Sequence, residues 1–86
     1  MTLKMNFLNK INFNEIDCDA EQTKQTIKEC LSDIKFAMEN GLLPEIMYKN
    51  IYAYIDKDKL IIQIVKDKKL QKKIVVDKKE VFVWKI

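Results

Sequence analysis

The chain has 86 residues, a length that suits one domain with one modest core. With 48% apolar residues beside a single Gly and a single Pro, it reads as folded rather than disordered. It contains no His, the commonest general base and metal ligand. All sixteen basic residues are Lys, so it has no Arg fork for bidentate phosphate or guanine contacts. The net charge of +3 is uneven: residues 1–50 carry six Lys against eight acids (−2), and residues 51–86 carry ten Lys against five acids (+5), which predicts an acidic and a basic half.

In "LKMNFLNKINF" the odd positions Leu3, Met5, Phe7, Ile11 and Phe13 are apolar, and the period of two is broken at Asn9. This predicts an extended segment or strand within residues 1–14, with a short helix on Leu3, Phe7, Leu8 and Ile11 as the alternative. A long amphipathic helix is predicted over 19–41. Asp19 is placed to cap it, with Gln22 three residues on; Ile27, Cys30, Leu31, Ile34 and Met38 form one stripe, and Gly41 is placed to end it. Phe36 lies opposite the stripe and is expected to be covered by the N-terminal segment or by Leu42.

"LLPEIMYKN" reads as a loop or a single helical turn. Beyond it, "IYAYI", "KLIIQIV", "LQKKIVV" and "EVFVWKI" alternate with "DKD", "KDKK" and "DKK", which predicts a four-stranded antiparallel meander over 50–86. Two-residue loops at Lys57-Asp58 and Lys78-Lys79, with a three-residue loop at 66–68, place Ile51, Ala53, Ile55, Leu60, Ile62, Ile64, Leu70, Ile74, Val76, Val81 and Val83 on one aliphatic face that matches the helix stripe. The opposite face then carries Tyr52, Tyr54, Ile61, Gln63, Val65, Gln71, Lys73, Val75, Phe82, Trp84 and Ile86. The fold class read from the sequence is therefore α+β: an N-terminal extended segment, one long helix and a four-stranded antiparallel sheet packed on it, in a single domain over 1–86.

Little in the sequence points to reaction chemistry. The run "EIDCDAE" alternates Glu15, Asp17, Asp19 and Glu21. Oxygen ligands of this kind suit hard cations, but the run lacks the glycine of a calcium loop, and capping of the helix explains it. The two copies of "DKK" fall at turns rather than on strands beside further acids. Cys18 stands among carboxylates, Cys30 lies on the apolar stripe, and no disulfide is expected. Without His, a Cys-x-x-Cys pair or a glycine-rich loop, there is no nucleophile–base pair and no phosphate cradle, so no enzyme, cofactor or metal site is predicted. The longest apolar run, "LIIQIV", is strand-sized, and the N-terminus has no continuous apolar stretch before a small-residue cleavage site, so the chain is expected to be cytoplasmic and not membrane-bound.

The remaining signal is the second sheet face. Tyr52, Tyr54, Lys73, Phe82 and Trp84 are expected to form a partner-binding surface, because exposed apolar patches rimmed with charge serve association. The function expected is that of a non-enzymatic interaction protein that docks on a protein partner, or on a second copy of itself, as a binder or inhibitor. Preference for Lys, Asn and Ile suggests an AT-rich coding genome, and a small Lys-rich domain of this kind would suit a phage or mobile-element inhibitor of a host defence complex. The competing reading is a Lys-rich nucleic-acid-binding protein in which the same aromatics stack bases. No small-molecule substrate is expected.

Overall fold

Residues 1–84 are described by a computed structural model, in which one long helix lies on one face of a four-stranded antiparallel sheet. The helix, α1 (Ala20–Glu39), starts where expected: the Asp19 side chain accepts a hydrogen bond from the Gln22 backbone N–H at 3.1 Å. It also ends as expected. Gly41 takes a φ of +67°, and the Leu42 N–H donates to the Ala37 carbonyl at 2.8 Å, satisfying a carbonyl that the last turn leaves open. Ile27, Cys30, Leu31 and Ile34 are fully buried, with Met38 at their margin. Phe36 departs from expectation: it is 60% exposed, because the turn at Gly41 returns the Leu42 backbone to the helix while the Leu42 side chain stays largely in solvent.

The sheet strands are β2 (Glu45–Tyr48), β3 (Ile51–Asp56), β4 (Lys59–Lys66) and β5 (Lys69–Asp77), in the order β2-β3-β4-β5, each pair antiparallel. Four antiparallel strands are present as predicted, but the set is shifted by one strand along the chain. "EIMY" is the first strand rather than a loop, and the meander ends at Asp77 instead of continuing through 50–86. After Asp77 the chain makes a single helical turn, α2 (Lys78–Val81). Phe82–Val83 (β6) then pairs antiparallel with Thr2–Leu3 (β1) in a separate two-stranded sheet. The register there is Thr2 with Val83 and Leu3 with Phe82.

The predicted alternation is present in β3 and most of β4 and β5. Ile51, Ala53, Leu60, Ile62, Ile64 and Ile74 are buried toward α1, with Ile55 and Val76 packed at the rim. Leu70 is the exception. The β4–β5 turn is two residues, Asp67-Lys68, both with positive φ as a type I′ turn requires. The ladder then slips: Ile64 faces Lys72 and Val65 faces Leu70, leaving Gln71 as the extra residue of a bulge. The short turn plus the bulge puts the register two residues away from that of the longer loop, which restores its parity, so Ile74 and Val76 keep their face while Leu70, before the bulge, moves to the other.

The N-terminal segment is extended only at β1 and then forms two short 3-10 turns, Asn6–Lys10 and Phe13–Glu15, the second capped by Asn12 Oδ1 accepting from the Asn14 N–H at 3.1 Å. Leu8, Phe13 and Ile16 are buried in the same cluster as the α1 stripe, Val81 and Phe82. This segment therefore completes the core on the helix side of the sheet. Exposed ion pairs link it to the sheet, Asp17 to Lys66 at 2.8 Å and Glu15 to Lys72 at 3.9 Å, so acids of the first half meet lysines of the second.

Candidate functional site

The face of the sheet turned away from α1 is built by alternation. The residues at 52 and 54 of β3 point opposite to buried Ile51 and Ala53, and register partners on neighbouring strands share their side. This brings Glu45 and Met47 of β2, Tyr52 and Tyr54 of β3, Ile61, Gln63 and Val65 of β4, and Leu70, Lys73 and Val75 of β5 onto one surface. Apart from Glu45, Gln63 and Lys73 it is apolar or aromatic. None of these residues belongs to the core cluster, and Met47, Leu70 and Val75 are each more than half exposed, so no other element among the described residues covers this face. Ile61 is 8% exposed and has Tyr54 and Val75 as its register partners.

Two aromatic rings form the centre of the β2–β3 half. The Tyr52 and Tyr54 ring centroids are 4.9 Å apart with the planes tilted by 48°, an aromatic pair held at fixed spacing by its strand. The Tyr52 hydroxyl donates to Glu45 Oε2 at 3.3 Å. Partial burial and the neighbouring Glu45 carboxylate push the Tyr52 phenol above its ordinary range, which keeps it a donor. Beside the pair, toward the hairpin ends, lies a hollow of about 310 Å³ lined by Met47, Lys49, Tyr52, Val65, Lys66 and Asp67. Its walls combine aliphatic and aromatic carbon with charges at the rim.

Of the five residues expected to bind a partner, Tyr52, Tyr54 and Lys73 share this surface. Phe82 does not: it is 1% exposed and packs in the core, because α2 turns the chain before it and directs both Val81 and Phe82 inward. Trp84 is 58% exposed but follows β6, outside the four-stranded sheet. Ile86 lies outside the described residues. Sequence reasoning missed Met47 and Leu70. Met47 was hidden in a stretch read as a loop, and Leu70 needed the bulge at Gln71, for which alternation alone gives no sign.

Elsewhere the acidic run is engaged in structure. Among the described residues no group of three His, Cys, Asp or Glu is placed to hold a metal ion. The acids of "EIDCDAE" are each committed separately: Asp19 caps α1, Asp17 and Glu15 pair with sheet lysines, and Glu21 lies 3.9 Å from Lys24. Burial, with help from Asp33 and Glu29, raises the Cys30 thiol to about 11, so it is an inert part of the core. No helix among the described residues is long and apolar enough to cross a membrane. Compared with protein-family models, curated proteins and solved structures, the chain matches none.

Proposed function

We propose that this protein is a non-enzymatic binder that docks on a protein partner through the outer face of its four-stranded sheet. The observation that carries this reading is the uncovered surface of Met47, Tyr52, Tyr54, Val65, Leu70 and Val75, with polar groups confined to Glu45, Gln63 and Lys73. Removing such a surface from water supplies the drive for association, and two rigid tyrosines contribute large area at small entropic cost. An inhibitor works by occupying a surface, and such a protein needs no reactive group of its own. The lysines of the β3–β4 and β4–β5 turns fall at opposite ends of the sheet, so they do not continue the tyrosines into a single basic stripe, which favours protein over single-stranded nucleic acid.

The test places a photo-crosslinking residue at Val75 on the outer face and, in a control, at Ser32 on the exposed side of α1. The reading expects one protein captured at position 75 and not at 32. The purified partner should then bind Tyr54→Lys at least about tenfold more weakly than the native chain, as loss of an aromatic anchor implies. Equal capture from both positions would overturn it, as would tight, base-selective binding of single-stranded nucleic acid at physiological salt.

A further inference from the structure

The two edges of the sheet differ. Edge strand β5 is guarded by Lys69, Lys72 and Lys73, the usual means of discouraging edge-to-edge pairing. Edge strand β2 has no lysine within it, and of the eight large apolar residues exposed among the described residues four fall on it or just before it: Leu42, Leu43, Met47 and Tyr48.

The backbone of β2 shows which of its groups are open. The Ile55 N–H donates to the Pro44 carbonyl at 3.0 Å, so the pair of residues 44 and 55 is of the hydrogen-bonded kind. Because pair types alternate along an antiparallel ladder, Ile46–Ala53 and Tyr48–Ile51 are also bonded pairs, while Glu45 and Met47 direct their N–H and C=O groups away from β3. The Glu45 N–H is already taken by the Leu43 carbonyl at 2.9 Å. The Met47 N–H and the Met47 and Glu45 carbonyls remain on the free edge.

We infer that β2 is a self-association edge: two copies of this chain pair β2 against β2, antiparallel, about a two-fold axis at Met47, joining two four-stranded sheets into one. In this register the Met47 N–H of each copy donates to the Met47 carbonyl of the other. Glu45 of each copy then approaches the β2–β3 turn of the other, where Lys49 directly follows Tyr48 with a φ of 54°, so a carboxylate and an ammonium come near each other on either side of the axis. The edge is thus self-complementary in charge as well as in hydrogen bonding. The same operation on β5, centred on Lys73, would set one ammonium directly against another, a destabilising arrangement. The β2 pairing leaves both outer faces exposed side by side, so a dimer would present the docking surface twice. The pairing does not depend on that surface being a docking site.

The experiment measures the mass of the full chain by light scattering and its sedimentation over a concentration range reaching about millimolar, where even weak association shows. The expected species is a concentration-dependent dimer. Met47→Pro removes an N–H that makes no bond within the chain, so it should weaken the dimer about tenfold or more while the monomer keeps its circular dichroism. Glu45→Lys and Lys49→Glu should each weaken it about tenfold by placing like charges across the axis, and the double exchange should restore it. This charge-exchange series decides the matter even if Met47→Pro perturbs the monomer. A chain that stays monomeric throughout the range, or a dimer that ignores the exchanges, would overturn the inference.

Discussion

Val81 and Phe82 are consecutive in the chain, yet both are fully buried in the same core. A strand sends neighbouring side chains to opposite faces, so this pair requires a break in alternation, and the end of α2 supplies it. Phe82→Ala should therefore cost about 3–5 kcal/mol, and Val81→Asp should prevent folding by burying an unpaired carboxylate. Trp84→Lys, by contrast, should change stability by no more than about 0.5 kcal/mol. Urea melts of the three variants provide the comparison; a Trp84→Lys protein as unstable as Phe82→Ala would contradict this account of the C-terminal segment.

The two ends of α1 make separate, measurable contributions. Asp19→Ala removes the cap on the Gln22 N–H and should cost about 1 kcal/mol. At Gly41 an added Cβ would meet no atom within 4 Å, so the cost of Gly41→Ala comes from the positive φ alone, about 1–2 kcal/mol. Gly41→Asn should cost less, since Asn enters this conformation more readily. Thermal melts that ranked Asn below Ala at position 41 would point to a steric contact instead.

Alkaline stability should carry the signature of Cys30. Its thiol ionises near 9.0 in the unfolded chain but stays protonated up to about 11 in the fold. Between these values the unfolded chain binds fewer protons, so stability falls as pH rises, by about 2–3 kcal/mol across the window. Lys59 and Lys66, raised by their bonds to Asp77 and Asp17, lose stability in the same direction at higher pH as their ammonium groups discharge. The melting temperature of Cys30→Ala, followed from pH 8 to about 11, should start lower because of the small cavity but decline less steeply than that of the native chain. Parallel declines would remove Cys30 as a cause.

How much of this fold could be read from residues alone differs by element. The helix was legible at both ends because Asp19, Gly41 and the stripe from Ile27 to Met38 agree with one another. The three central β runs were legible because turn residues separate alternating segments. "EIMY" was not: it is four residues long, Pro44 precedes it, and its hairpin closes on Lys49-Asn50, where Lys49 takes a φ of 54° that its residue type does not advertise. "EVFVWKI" misled for the opposite reason, having strand composition and alternation but packing by a helical turn. For the outer face of the sheet, Tyr52, Tyr54 and Lys73 followed from parity. Met47, Leu70 and the burial of Phe82 depended on an unrecognised strand, a bulge and a turn, each a tertiary choice among locally acceptable backbones.

The pairing of Leu3 with Phe82 has a consequence for how the molecule is made. The contact joins two segments separated by nearly the whole chain, and the loop-closure entropy for it must be met late. A ribosome delivers residue 3 well before residue 82, and the exit tunnel hides residues 78–83 until the chain has grown beyond them. Until then Leu8, Phe13 and the sheet lack two of their buried neighbours, Val81 and Phe82. The nascent chain should remain open to protease until residues 78–83 have emerged and become resistant only then, the order of events expected where strands so far apart in sequence close on each other.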